Sequence, residues 1–323
     1  MKPFKHLTVE VDPDGKVHRR VQTSEYLPEN ELLVKVAYSS LNYKDALASN
    51  GNRGISRFYP HIPGIDAAGV VEKSNHPDFK PGQKVIVSGY DLGMNSKGGF
   101  SQYISVPAAW AIPLPSGLSL KESMILGTAG LTTAMALDKI LPHQPQKILV
   151  TGASGSVGSI CILLLNKLGI EVVALSRKDP KTLLELGANE VIKPWTPSEK
   201  PLLKGEFDAA IDTVGGATLS HLIKTIRPYG AIAVCGMAQS PHFESSVYPF
   251  ILRGVTLYGI ESAEAPLEWK RELWDKLANI WKLPNLEKIT RTVTLDSLET
   301  EIQDMLAGKA QGRVLIDLET ELE

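Results

Sequence analysis

The sequence predicts an α/β chain in which a β-rich domain is interrupted by a doubly wound parallel sheet, and three observations carry that expectation. The first hundred residues alternate short apolar runs with turn signals, whereas from about Met124 strands alternate with helical patterns. A glycine-rich strand-turn-helix junction, "KILVTGASGSVGS", lies at the middle of the chain rather than at its start. The length, 323 residues, exceeds the size at which a single core usually stops growing, so two domains are expected.

The strand segments of the first part are "HLTVEV", "KVHRRV", "ELLVKVAY", "AAGVVE", "QKVIVSG" and "FSQYISV", with "DPDG", "LPEN" and "KPGQ" as the turns between them. The second part runs "KILVTG", helix, "EVVALS", helix, "EVIK", "FDAAIDTVGG", helix, "AIAVCG" and "VTLYGIES". Strands that alternate with helices build a parallel sheet. After Ser262, "LEWKRELWDKLANIW" puts Leu273, Leu277, Ile280 and Trp281 on one helical face. A strand "TRTVTL", a helix "SLETEIQDMLA" stopped by Gly308, and a last strand "RVLIDL" complete the chain. The polar stretch from Pro194 to Gly205 reads as a solvated loop, and no internal repeat is present. The predicted domains are 1–124 plus 263–323, and 125–262.

Hydrophobic residues at 43% and charged residues at 22% are ordinary for a globular chain, and a net charge of -2 provides no positive blanket for nucleic acid or an anionic membrane. Small molecules are the expected partners. Two cysteines, Cys161 in a helical pattern and Cys235 at a strand end, read as core packing rather than a disulfide framework. The amino terminus "MKPFKHLTVEVDPDGK" has no apolar h-region, and no uninterrupted apolar run approaches the ~18 residues of a membrane span. The cytoplasm is the expected compartment.

The junction's glycines, Gly152, Gly155 and Gly158, let the backbone approach a pyrophosphate that the helix N-terminus attracts. In such a unit the end of the second strand meets the adenosine ribose, where an acid selects NAD through the 2'-hydroxyl. This chain reads "VVALSRK" there, and Ser176, Arg177 and Lys178 suit a 2'-phosphate through charge-assisted bonds. NADPH is therefore expected. The alternative is a solvated basic turn, partly neutralised by Asp179. A short-chain dehydrogenase is excluded, because none of the nine tyrosines has a lysine four positions later.

"LNYKDALA", "YPHIPGIDAAGVV", "GGFSQYISVPAAW", "GTAGLTTAM", "VTGASGSVGS", "IDTVGG" and "YPFILRGVTLYGIES" occur in this order over nearly the whole chain. In these motifs the sequence resembles the medium-chain dehydrogenase/reductase superfamily. It is most similar to the YhdH/YhfP-type subgroup of the zinc-free quinone oxidoreductase branch, which includes NADPH-dependent acryloyl-CoA reductases. The resemblance implies a GroES-like catalytic domain with an inserted Rossmann NADPH-binding domain, and a homodimer. It also implies a cofactor site of Tyr43, Thr132, Ser154, Gly155, Ser156, Val157, Gly158, Ser176, Arg177, Lys178, Lys193, Met237, Ile251, Ser262 and Arg313. Placement after strand ends independently supports the glycine loop, Ser176, Met237 and Ser262; Lys193, Ile251 and Arg313 rest on the resemblance. Two departures are Ser156, where relatives often have a second glycine, and "SRK", where a glycine commonly sits.

Zinc-dependent members use cysteine and a His-Glu pair, since zinc takes thiolate or imidazole in a tetrahedral set. At the His-Glu position this chain has Ile65-Asp66, and its seven histidines show no ligand spacing, so no metal is expected. Asp66 then reads as a structural or supporting residue. Without a Lewis acid, hydride adds readily only to a conjugated C=C or a quinone, where charge spreads onto oxygen. Tyr43 is the candidate acid, because a phenol with an ordinary pKa near ~10 keeps its proton at neutral pH. Asn42 and Asp45 would orient it or the substrate. The competing possibility is that "NYKDALA" starts a short helix with Tyr43 as a wall under the nicotinamide. Two classes stay open: a reductase of activated double bonds, with a short 2-enoyl-CoA such as acryloyl-CoA ahead of a quinone, and a non-catalytic NADPH-binding or sensor protein. In the loop "GNRGISRFYP", Arg53 and Arg57 would meet CoA phosphates at a cleft mouth, or else form solvated surface.

Overall fold

The computed structural model describes residues 3–196 and 198–319. Its chain divides into two units, Met1–Thr128 with Ala263–Glu323, and Ala129–Ser262. The first unit opens with an antiparallel hairpin of β1 (Phe4–Val11) and β2 (Val17–Ser24). Next come β3 (Leu32–Leu41), α1 (Tyr43–Ser49), β4 (Asp66–Ser74), β5 (Lys84–Ser88), β6 (Tyr103–Val106) and β7 (Ala111–Pro113). Then α2 (Leu120–Ile140) carries the chain into the second unit. It breaks at Gly127, whose φ of 50° and ψ of -153° are not helical. The helix Leu120–His143 is the one among the described residues long and apolar enough to cross a membrane, and 78% of its apolar window is buried inside the protein, as in a core helix.

The second unit contains β8 (Lys147–Thr151), α3 (Ser156–Lys167), β9 (Glu171–Leu175), α4 (Pro180–Glu185), β10 (Glu190–Ile192), β11 (Phe207–Asp212), α5 (Gly216–Thr225), β12 (Ile226–Val234), α6 (Tyr248–Arg253) and β13 (Thr256–Gly259). All its strands are parallel, in the order β10-β9-β8-β11-β12-β13. That is the doubly wound dinucleotide-binding order, with its switch point between β8 and β11. Near-continuous apolar runs such as "ILV" of β8 and "AAI" of β11 are buried on both faces, as a helix-covered parallel sheet requires. Leu149, Val173, Ala210, Leu222 and Ile232 belong to its core.

Back in the first unit are α7 (Leu267–Ala278), β14 (Thr290–Val293), α8 (Leu298–Leu306) and β15 (Arg313–Asp317). Its main sheet runs β14-β15-β3-β4-β5-β7, with β6 also on β3. One edge of β3 is shared: Leu32–Lys35 pair with β6 and Tyr38–Leu41 with β15. Alternate residues of β3, among them Leu32, Val34 and Val36, meet Val71, Val85, Ile104, Val314 and Ile316 in the core. The face predicted for α7 holds for Leu273, Leu277 and Trp281, which are buried, but Ile280 is 67% exposed. The helix stops at Ala278, so the 3.6-residue period no longer governs Ile280 or Trp281, and Trp281 is buried from outside the helix. Apart from Pro197, which lies outside the described residues, the connector 194–205 contains no helix or strand. Its Trp195 stacks on His221 with ring centroids 4.5 Å apart.

Candidate functional site

In the second unit the carboxyl ends of β8 and β11 are tied together at the switch point. Thr151 Oγ1 donates to Asp212 Oδ1 at 2.6 Å, Gly215 N to Asp212 Oδ2 at 2.8 Å, and Thr213 Oγ1 to the Thr151 carbonyl at 3.0 Å. Burial raises the Asp212 pKa against the opposing pull of the Thr151 hydroxyl and the Gly215 and Val214 backbone N–H groups. This close approach explains Gly152, and the tightness of the turn itself explains Gly158. A Cβ on Gly152 would lie 2.1 Å from Thr213 Oγ1, and one on Gly158 would lie 2.6 Å from Ala153 Cα. Gly155 is less constrained, with Gly152 O at 3.3 Å. Gly155 is the N-cap of the twelve-residue α3 and provides no side-chain cap, so a positive dipole end meets the turn formed by Ser154, Gly155, Ser156, Val157 and Gly158. Such a turn could hold the pyrophosphate of a dinucleotide, an anion that a helix N-terminus attracts. Thr151, Asp212, Thr213 and Gly215 were missed from sequence as site builders, although the "IDTVGG" run that carries three of them was the available signal.

At the end of β9, Ser176 is buried and its Oγ accepts from Lys178 N at 3.1 Å, which folds the turn. Lys193 Nζ donates to the carbonyls of Arg177 and Lys178 at 3.4 and 3.3 Å and braces the same turn. Arg177 is exposed, and its guanidinium makes no ion pair among the described residues. Asp179, the acid that would neutralise it, instead caps α4 by accepting from Lys181 N at 2.9 Å. Burial, and then the Arg177 charge, lower the Lys178 pKa. Elsewhere in this unit Thr132 Oγ1 and Ser262 Oγ are 2.8 Å apart, while Met237 and Ile251 are more than half exposed.

The first unit holds a buried polar network beneath α1. Asp66 Oδ2 accepts from Asn42 Nδ2 at 2.7 Å, Ser40 Oγ at 2.8 Å and Thr128 N at 2.8 Å, and its Oδ1 accepts from Thr128 Oγ1 at 2.7 Å. Asp45 accepts from Asn42 N and Ile65 N, each at 2.8 Å. Burial, followed by the nearby Asp66 charge, pushes the Asp45 carboxyl up to about 7. Arg313 is fully buried and donates to the carbonyls of Ile125 at 2.6 Å and Met124 at 3.2 Å and to Asn42 Oδ1 at 3.2 Å. Burial lowers its pKa to about 10, with Asp66 and Asp45 opposing. Gly127 closes the network: a Cβ there would lie 2.7 Å from Asp66 Oδ2 and 2.8 Å from an Arg313 terminal nitrogen, so only glycine fits the helix break. Asn42 and Asp45 are therefore inside, holding the turn. Tyr43 is 47% exposed with its hydroxyl unbonded to the described residues, and Arg313 has no exposed surface.

A zinc ion does not suit this donor set. Ile65 offers no ligand, Asp66 is saturated by protein donors, and among the described residues no three His, Cys, Asp or Glu side chains are grouped for a metal. Cys161 is buried in α3 with its pKa raised by burial to about 12.

The chain matches two families, described as alcohol dehydrogenase GroES-like domain over residues 28–116, within the first unit, and zinc-binding dehydrogenase over residues 156–279, which spans most of the second unit and continues through α7. Together they define a GroES-like domain joined to a Rossmann-type dinucleotide-binding domain. The chain belongs to the medium-chain dehydrogenase/reductase superfamily of oxidoreductases, in the subgroup of quinone oxidoreductase-like and acrylyl-CoA reductase relatives. It is 41% identical to the putative quinone oxidoreductase YhfP of Bacillus subtilis over 98% of this chain and 99% of that protein. The crystal structure of that protein with NAD bound has a TM-score of 0.94 at 40% identity, covering 98% and 100% of the two chains. The acrylyl-CoA reductase AcuI of Ruegeria pomeroyi is 37% identical over 98% of this chain and 99% of its own. The yhdH oxidoreductase of Salmonella enterica, solved with NADP, has a TM-score of 0.93 at 37% identity over 97% and 99%.

Proposed function

We propose that the protein is an NADPH-dependent, metal-independent reductase of double bonds conjugated to a carbonyl, with acryloyl-CoA or another short 2-enoyl-CoA as substrate. The observation that carries this reading is Asp66 saturated by four donors beside Ile65, at the position where zinc enzymes keep a ligand pair. An alkoxide would have no Lewis acid to stabilise it. A conjugated acceptor needs only hydrogen bonds at the oxygen that collects charge.

The bound nicotinamide would supply the hydride. The turn from Gly152 to Gly158 and the N-terminus of α3 would hold the pyrophosphate, and Ser176, Arg177 and Lys178 the 2'-phosphate, on a turn braced by Lys193. Thr132, Met237, Ile251 and Ser262 complete the cofactor site that the family motifs suggest; Arg313, buried with its donors spent on Ile125, Met124 and Asn42, supports the Asn42 turn instead of touching the cofactor. Tyr43 Oη is the proton donor to the substrate's alpha carbon, and the buried Asn42–Asp45 turn orients it. The homodimer and the cytoplasm belong to the same proposal.

The names of the relatives support both an acrylyl-CoA and a quinone acceptor. A panel of acryloyl-CoA, its pantetheine-truncated thioester and a simple quinone, run at saturating NADPH, separates them. The expected result is a kcat/KM for acryloyl-CoA at least about 100-fold above the quinone, roughly 2.7 kcal/mol of transition-state binding. Faster quinone turnover makes the protein a quinone reductase. No NADPH oxidation with any acceptor makes it a binding protein.

A further inference from the structure

Two loops of the first unit gather cations without carboxylate partners and exposed aromatic surface in one place. The loop 51–60 carries Arg53, Arg57 and Phe58, and the loop 91–97 carries Asn95 and Lys97. Arg57 N donates to Asn95 Oδ1 at 3.2 Å, and just past the first loop His61 Nε2 bonds the Gly93 carbonyl at 2.8 Å, so the two are joined. Arg53 is held in place by donating to the Arg57 carbonyl at 3.0 Å and by lying 5.7 Å over the Tyr59 ring. Lys97 Nζ lies 5.9 Å from the Tyr26 ring, and both Phe58 and Tyr26 are 71% exposed. None of the three cations makes an ion pair among the described residues. The one carboxylate of the second loop, Asp91, is taken by Asn95 Nδ2 at 2.8 Å.

Charges with no ion-pair partner among the described residues, set beside exposed rings, match a nucleotide that carries phosphates. Guanidinium and ammonium groups take phosphate oxygens through charge-assisted bonds, and an exposed ring stacks on a base. The patch also continues toward the proposed proton donor. Lys44, the residue after Tyr43, has its Nζ 3.9 Å from Met94 Sδ on the second loop, and Tyr59 Oη donates to the Ala48 carbonyl of α1 at 2.7 Å.

We infer that Arg53, Arg57 and Lys97, with Phe58, bind the 3'-phospho-ADP end of a CoA thioester and select it over acceptors that lack it. The inference rests on the enoyl-CoA reading above for the reaction, but its binding readout is separate. A remote phosphate handle adds binding energy that a truncated thioester or a quinone cannot supply.

The test uses the full chain saturated with NADP+, so that the cofactor site is filled, and titrates 3',5'-ADP by calorimetry. The expected result is measurable binding that weakens tenfold or more in Arg53→Ser/Arg57→Ser and more steeply with added salt. Arg53→Lys/Arg57→Lys should recover part of it, and Arg20→Ser, an exposed charge on β2, should change nothing. In turnover, the ratio of kcat/KM for the full and truncated thioesters should fall tenfold or more in the serine variant. Both arginines are exposed, and an unchanged melting temperature checks the fold. Absence of binding in the wild type, or equal binding by the serine variant, overturns the inference. Loss of binding in the variant without reduction of any thioester leaves the patch standing and sinks the enoyl-CoA reading. Thioester reduction with an unmoved ratio does the reverse.

Discussion

Replacing Arg177 by alanine isolates the choice between the two dinucleotides. The guanidinium is exposed and bonded to none of the described residues, while Asp179 is committed to the cap of α4, so the substitution leaves no described group stranded and should not touch stability. What it removes is a contact to the 2'-phosphate, and a hydrogen bond to a charged group contributes roughly 1.5 to 3 kcal/mol. Solvent at an exposed site screens the pair, which places the loss near the lower end, about tenfold in affinity. Lys178 remains on the same turn as a second cation, so the loss is partial. Arg177→Ala/Lys178→Ala should therefore lose more than the single variant. The assay is the dissociation constant and KM for NADPH and NADH side by side at two ionic strengths. NADPH should weaken about tenfold or more, NADH should hardly move, and added salt should narrow the difference between the cofactors. The Bacillus subtilis relative solved with NAD makes the comparison a demanding one. Equal use of NADH by the wild type, or equal loss of both cofactors in the variant, would refute the reasoning.

Tyr43→Phe keeps the ring and removes the hydroxyl, so kcat should fall by around 100-fold or more if Tyr43 is the acid; an unchanged kcat with a raised KM for NADPH would assign it to the cofactor. Elemental analysis of the purified protein should find no stoichiometric zinc, and prolonged chelation should leave turnover unaltered; one zinc per chain would contradict the Asp66 argument. Asp45 sets a pH dependence: its carboxyl titrates near 7 in the fold against an ordinary value near 4, so the native state binds the extra proton between those limits. Stability should then fall as pH rises from about 4 through about 7 and level off above. Asp45→Asn should flatten that part of the curve in chemical denaturation, and an unchanged slope would mean that Asp45 is ionised throughout.

Local pattern was enough to read most strands and the helices α3, α4, α5, α7 and α8, because a two-residue or 3.6-residue period is written in neighbouring residues, but α2, α6 and β7 were not read. The dinucleotide junction was legible for the same reason: β8, its glycines and α3 are contiguous, and so is the turn that ends in Ser176 and Arg177. The face assigned to Ile280 failed because a period does not state where a helix stops. What the tertiary structure decided lies between residues far apart in the chain. Asp66, Asn42, Thr128 and Arg313 meet in one buried network, which explains why only glycine fits where α2 breaks at Gly127, and burial, followed by the Asp66 charge, raises the Asp45 pKa. The commitment of Asp179 to a cap, which leaves Arg177 without an ion pair among the described residues, was equally invisible, and the tie from Thr151 to Asp212 was signalled only by the "IDTVGG" run. Burial and the distance between charges are properties of the folded chain: a carboxylate's neighbours, rather than its sequence position, determine its protonation and whether a donor is left for a ligand.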